Sequence, residues 1–316
     1  MKLPPTRPIY HGKRRFLGMK DLVVSFFTQR CQYRCSFCGL YCRSSPHPVS
    51  SEDIKGQVDW LFSQYDGEMG TFNQLSVGNE GSILDEKRFP PDAFTHLIQR
   101  ANEVKSLKVL SLETRAEYVT ERKMKAILKS SAAEKVDVTI GFETLDDRLR
   151  NGILKKHMHR KHFEEIIVLL GKLKVRLTSY VMLKPGPTMT EEEGIQEALA
   201  TIRYLARKCH KAGTELVIYL NPTYVAENSP LAKMMKKTGY RPPRIQSVVR
   251  TIIGAKDLGL PIYTGLWCEN ISEAGNDFSG RKDYDEKFRA AVKEFNKTQD
   301  FSVFKCLELG REPMTL

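Results

Sequence analysis

Six short runs rich in β-branched and aromatic residues recur along roughly the first two thirds of the chain, and each of the first five is followed by a stretch with helical apolar period. The runs are Leu22–Thr28, Phe72–Val77, Val109–Glu113, Val136–Phe142, Leu177–Met182 and Glu215–Leu220; between them lie Glu52–Phe62, Asp92–Val104, Glu121–Lys129, Lys161–Leu173 and Glu191–Ala212. Strands that alternate with helices are joined as parallel neighbours, because the helix returns the backbone to the same end of the sheet. The pattern predicts an α/β fold, a partial (β/α)6 TIM-like barrel with a C-terminal extension. A Thr190-x-x-Glu193 capping box opens the last helix. After Leu220 the alternation fades into Pro-rich, basic sequence, with a helical pattern at Ser247–Lys256, a short run Ile262–Thr264 and a helix at Tyr284–Asn296. The expected division is a basic N-terminal arm (1–20), a core of βα units (21–220) and an extension (221–316) suited to contact with RNA or another substrate.

With 316 residues, 41% of them apolar, the protein is large enough to bury a full core without disulfide support. No apolar run approaches the ~20 residues needed to cross a bilayer, and the N-terminus is basic and broken by Pro4, Pro5 and Pro8. A cytoplasmic protein without a membrane partner is expected. Cysteine usage agrees. Of seven cysteines, Cys31, Cys35, Cys38 and Cys42 crowd together, a spacing that favours metal or redox chemistry in a reducing compartment over a disulfide framework.

Cys31-Gln-Tyr-Arg-Cys35-Ser-Phe-Cys38 follows directly on the first predicted strand. Three thiolates from one loop can ligate three irons of a [4Fe–4S] cluster and leave the fourth iron open. A structural zinc site would need a fourth ligand, for which Cys42 is the candidate, but the spacing offers no second dyad of the knuckle kind. Cys42 is read as a spare thiol. The motif and its position resemble the radical S-adenosylmethionine (SAM) superfamily. The resemblance implies that the open iron chelates SAM, that an electron from an external donor cleaves SAM to a 5′-deoxyadenosyl radical, and that Phe37 packs near the adenine.

A ligand at the carboxyl ends of parallel strands is held by the loops that follow them. Candidates occur there in order. After the second run come Gly78, Asn79, Glu80, Gly81 and Ser82, where the superfamily often carries a Gly-Gly-Glu that holds the cofactor's ammonium. The third ends in Glu113-Thr-Arg115, also a candidate cofactor contact. Glu143, Lys184 and Asn221 end the next three and are the candidate catalytic residues. Acids at successive strand ends are costly unless they face solvent or a ligand, so a polar cavity is expected.

Within the superfamily the sequence resembles the branch that includes the Elongator catalytic subunit, and in it most of all the archaeosine-forming family, RaSEA. The matching stretches are Leu112–Val119, Ile140–Asp146, Tyr180–Pro185 followed by Thr190-Glu-Glu, Leu220–Thr223, Tyr240–Arg244 with Ser247-Val-Val, and Phe295–Asp300. This resemblance implies a tRNA substrate in which a lysine attached to a 7-deazaguanine base is cleaved at the C–N bond of its side chain, and a partner that first attaches the lysine.

Charge points the same way. The formal charge is +12, from 50 Lys+Arg against 38 Asp+Glu. Arg148–Arg176 is strongly basic, although Lys155, Lys156, Arg160 and Lys161 read equally well as a solvated helix start. Lys233–Arg250 carries no acid, and Lys236, Lys237, Tyr240, Arg241 and Arg244 combine cations with an aromatic in the manner of a phosphate-gripping, base-stacking surface. Two other classes compete: a radical enzyme of the same branch acting on a small molecule or peptide, and a non-catalytic, metal-containing RNA-binding protein.

Overall fold

Along the expected strands apolar residues occupy one parity and small or polar ones the other, as in Leu110-Ser-Leu-Glu113 and Val136-Asp-Val-Thr-Ile-Gly141. In the computed structural model, which describes residues 6–226, 228–266 and 285–307, the apolar parity packs outward under the helices and the polar parity faces inward. Eight strands lie side by side in sequence order: β1 (Tyr10–Phe16), β2 (Met19–Phe26), β3 (Gln74–Asn79), β4 (Val109–Thr114), β5 (Lys135–Glu143), β6 (Arg176–Leu183), β7 (Leu216–Pro222) and β8 (Ile262–Thr264). β2 to β8 are parallel. β1 is antiparallel to β2, joined by a two-residue turn in which Leu17 and Gly18 both adopt positive φ, the geometry whose twist suits a hairpin.

The helices α1 (Ser51–Gln64), α2 (Pro91–Asn102), α3 (Glu121–Ser130), α4 (Arg160–Lys172) and α5 (Glu191–Ala212) are the crossovers between successive strands from β2 to β7. The Thr190 capping box is formed, with Thr190 N donating to Glu193 Oε2 at 2.8 Å, and Gly213 closes α5 in the left-handed region. The six expected parallel strands are thus joined by one strand at each edge. β1 comes from the basic arm, and β8, the run Ile262–Thr264, pairs with β7. Among the described residues three α-helices follow the crossovers: α6 (Pro230–Thr238), α7 (Ile245–Gly254) against α5, and α8 (Glu286–Thr298).

The sheet curls until Phe16 on β1 meets Tyr263 on β8, with ring centroids 4.7 Å apart. α8 lies against both edge strands and satisfies the outer edge of β8 with side-chain amides. Asn296 accepts from Thr264 N and donates to Thr264 O, both at 2.9 Å, and Gln299 does the same for Ile262 at 2.8 and 3.0 Å. An unpaired edge is thereby blunted. A closed barrel of this kind is ordinarily filled by Val, Ile and Leu. Here the inward parity carries Asp21, Ser76, Ser111, Asp137 and Thr178, all buried, so the centre of the curl is a polar cavity rather than a packed core.

Candidate active site

The cysteine loop leaves the end of β2 and is fastened at its base and its middle. Arg30 N donates to Ser45 O at 2.9 Å and Ser45 N to Thr28 O at 3.0 Å, closing the ends. In the middle, Ser36 donates through its N to Leu154 O (2.9 Å) and through its hydroxyl to Ile153 O (2.6 Å), and its carbonyl accepts from Leu231 N of α6 (2.9 Å). So held, Cys31, Cys35 and Cys38 line one mouth of the interior cavity, about 250 Å3 in volume, while Cys42 is exposed and lies off it. Burial pushes the Cys31 thiol up and the Cys38 thiol up to about 12, so both carry protons until a metal displaces them.

The strand ends supply the opposite wall. Gly81 passes under the loop so closely that a Cβ there would lie 2.8 Å from Cys31 Sγ. Asn79 Oδ1 accepts from Gly81 N at 3.0 Å and Thr28 Oγ1 donates to Glu80 Oε2 at 2.7 Å, while Asn79 Nδ2 and Glu80 Oε1 are buried without a partner. Burial raises the Glu80 carboxyl from the usual 4.5 to about 8. Gly78 lies flat against Glu113, whose carboxylate accepts from Tyr180 OH at 3.0 Å. Ser82 turns away from the cavity and bonds to Thr114.

Arg115 is oriented toward the cysteine loop. Its guanidinium lies 3.7 Å above the Tyr33 ring, donates to Glu117 (2.8 and 3.1 Å) and to Lys156 O (2.7 Å), and reaches Cys35 Sγ at 3.8 Å. Glu143 stands on a bulge of β5 with φ +71° and accepts from Lys156 Nζ at 2.8 Å. Burial alone would lower the Lys156 pKa, but the Glu143 carboxylate outweighs it and holds it above the ordinary value. A Cβ at 141 would meet Glu143 Oε1 at 2.0 Å and Lys156 Nζ at 2.6 Å, so a side chain there would displace this pair. Phe37 and Asn221 line the cavity, and Lys156 Nζ sits 5.7 Å from the Phe37 ring centre.

Lys184 is placed elsewhere. At φ +61° its side chain leaves the cavity and donates to Glu191 Oε1 (3.0 Å) and Arg241 O (2.8 Å), with the Tyr240 ring 4.9 Å away. Tyr240 OH donates to Lys184 O at 2.8 Å, and the same Glu191 caps α7 by accepting from Arg244 N (3.0 Å) and Ser247 Oγ (2.6 Å). Lys184 and Tyr240 therefore form a joint that fixes the segment between α6 and α7 over the end of β6. Lys236 and Lys237 at the end of α6, and Arg241 and Arg244 on that segment, are exposed.

Among the cavity residues outside the sequence expectation are Lys156, hidden in a basic run that reads as a solvated helix start, and Tyr180 and Tyr219 on the inward parity of β6 and β7. The signal that exposes the tyrosines is the period-two alternation itself, since an inward polar parity in a parallel sheet marks a cavity.

An iron–sulfur cluster with SAM fits this donor set. Three thiols share one cavity wall, Gly81 leaves space beside Cys31, and two buried polar atoms, Glu80 Oε1 and Asn79 Nδ2, stand without partners at the strand ends. Among the described residues no three His, Cys, Asp or Glu side chains stand gathered around one point.

A curled, mostly parallel half-barrel with a cysteine loop after its first parallel strand and polar groups at the adjoining strand ends defines a radical SAM enzyme. The protein belongs to the Radical SAM superfamily, which it matches over residues 25–202. Membership implies an iron–sulfur cluster and SAM as cofactors. The sequence is 24% identical over 241 residues to archaeosine synthase subunit beta of Methanosarcina acetivorans (75% of this protein, 67% of that one). It is 23% identical over 293 residues to archaeosine synthase subunit beta of Thermococcus kodakarensis (90% and 86%). Among solved structures it resembles the Elp3 of Methanocaldococcus infernus, with a TM-score of 0.50 at 16% identity, covering 67% of this protein and 52% of that one. The match thus spans about half of that structure's length. No helix among the described residues is long and apolar enough to cross a membrane.

Proposed function

We propose that this enzyme uses Cys31, Cys35 and Cys38 to hold one [4Fe–4S] cluster and acts on a tRNA base, cleaving the C–N bond in the side chain of a lysine carried on a 7-deazaguanine, the archaeosine-forming step. Bound together and reduced by an external donor, cluster and SAM supply a 5′-deoxyadenosyl radical. The protein's own residues would bind and orient: Gly78 to Gly81, with Glu80 and Asn79, would hold the cofactor from the strand ends, and Phe37 would offer it an apolar face; Glu113, the Glu143–Lys156 pair and Asn221 line the chamber. Arg115 braces Cys35, and Ser82 supports the turn through Thr114.

The observation that carries the RNA reading is the attachment of the cationic segment to the cysteine loop. The helix bearing Lys236 and Lys237 is tied by Leu231 N to Ser36 O at 2.9 Å, so phosphates gripped there bring a nucleotide to the mouth where the thiols lie. The two relatives named archaeosine synthase subunit beta support the same substrate, and on this reading a separate partner first attaches the lysine. The test is anaerobic incubation of reconstituted enzyme with reductant, SAM and tRNA bearing the lysine-modified base, followed by nucleoside mass spectrometry. Conversion to the amidine-bearing base is expected; formation of 5′-deoxyadenosine with the tRNA unchanged would shift the reading to a small-molecule or peptide substrate.

A further inference from the structure

Below the strand ends the cavity wall is a belt of small polar side chains in which every hydroxyl proton can be placed. Ser76 and Ser111 are neighbours across β3 and β4, and Thr139 and Thr178 across β5 and β6. Ser76 donates to Asp21 at 2.9 Å, Ser111 to Asp137 at 2.6 Å and Thr178 to Asp137 at 2.8 Å, while Thr139 lies 3.3 Å from Asp137 Oδ2 and 3.1 Å from Ser111 Oγ. A hydroxyl has one proton. All four are committed within the belt, and the oxygens keep only lone pairs for an occupant. With the Ser76 proton spent on Asp21, Gln74 meets Ser76 through its amide N–H (3.0 Å), and Gln74 Oε1 is left buried without a partner in a residue only 1% exposed.

The charges behind the belt are balanced. Arg14 donates to Asp21 at 2.6 Å and Arg176 to Asp137 at 2.7 Å. The belt itself therefore presents the negative ends of oriented dipoles; Arg14 also borders the cavity, 3.4 Å from Ser76 Oγ, with its charge offset by Asp21. At the belt an anion would meet lone pairs, and an alcohol offers a single proton. An alkylammonium brings three N–H donors and a positive charge.

We propose that the belt of Gln74, Ser111, Thr139 and Thr178 seats an alkylammonium group of the substrate. This rests on reading the cavity as the chamber in which substrate meets cofactor, and an amino acid carried on the modified base would supply such a group. The methionyl ammonium of SAM is the other source of this chemistry. Gln74 and Thr178 lie four residues below Gly78 and Met182, or roughly 13 Å at 3.3 Å per residue, while Ser111 is two residues below Glu113; the depth of Gln74 and Thr178 favours the substrate.

The experiment is calorimetric titration of the cluster-loaded enzyme with n-butylammonium and with 1-butanol, for the parent and for Gln74→Met, Thr139→Val and Thr139→Ser, with SAM affinity measured alongside. Butylammonium should bind about tenfold tighter than the alcohol, weaken by about tenfold in Gln74→Met and Thr139→Val, and recover in Thr139→Ser, which keeps the hydroxyl. SAM affinity and release of 5′-deoxyadenosine should stay at the parent's level. Equal binding of the two probes, or butylammonium affinity unchanged in both Gln74→Met and Thr139→Val, would overturn the proposal. SAM affinity falling in step with butylammonium would move the seat to the cofactor and equally overturn it. Intact amine binding with no tRNA turnover would count against the tRNA reading alone.

Discussion

Glu80 is a carboxyl with one oxygen bonded to Thr28 and the other buried without a partner, and burial raises its pKa to about 8. The folded state therefore keeps a proton that the unfolded state releases near the ordinary 4.5. Stability from this group is fully present below about 4.5 and falls as pH rises toward about 8, by up to about 1.4 kcal/mol per pH unit. Urea denaturation across that window, in enzyme without SAM, should show the parent losing stability relative to Glu80→Gln; parallel curves would mean that Glu80 is ionised when folded. The Lys156–Glu143 pair behaves differently, because both partners are buried and bonded to each other. Lys156→Met strands a carboxylate and should cost about 3–5 kcal/mol, whereas Lys156→Met with Glu143→Gln should recover most of it. Equal losses in the single and double variants would show that the pair is not coupled. Lys156 was not legible as a cavity residue, because a run of like charges has the same composition whether it is solvated or folded inward. Lys184 was legible as a strand-end residue but not by direction: its positive φ turns it away from the cavity into the joint with Glu191 and Tyr240.

At the scale of elements, the six parallel strands and five crossover helices were legible because the strand runs and helical stretches alternate regularly with clear periods, and because parallel pairing follows from the crossover itself. The edges were not. β1 reads as part of a basic arm, since Lys13, Arg14 and Arg15 hide its strand period, and β8 is three residues long. β8 is held by its neighbours: β7 on one side and the amides of Asn296 and Gln299 on the other. Asn296→Leu removes a donor and an acceptor facing Thr264 and leaves that backbone unsatisfied, at about 2–4 kcal/mol. Hydrogen exchange should show Thr264 losing protection in that variant while the amides of β3 and β4 keep theirs. Unchanged protection at Thr264 would mean that α8 does not hold this edge. The sequence also carries a Gly-rich stretch, Gly275–Gly280, in the extension, and it lies outside the described residues.

At the scale of the molecule, the surplus of positive charge is organised rather than diffuse. Its exposed cluster at Lys236, Lys237, Arg241 and Arg244 sits on a segment bound to the cysteine loop by α6 and to the barrel by Lys184. If these residues meet phosphates, tRNA affinity should fall with salt by about 0.7–0.9 log units per log unit for each contact, and replacing all four by Ala should flatten the slope while the cluster and uncoupled SAM cleavage persist. An unchanged slope would place the RNA contact elsewhere. Beneath that question lies the identity of the metal site, on which the radical chemistry and the tRNA step both depend. Iron and sulfide analysis with electron paramagnetic resonance, on anaerobically purified parent and on Cys31→Ser, Cys35→Ser, Cys38→Ser and Cys42→Ser, tests it most directly. About four irons per protein molecule, with a signal perturbed by SAM, are expected in the parent and in Cys42→Ser, and loss of the cluster in each of the other three; zinc without iron, or equal loss of iron in Cys42→Ser, would contradict the three-thiol cluster.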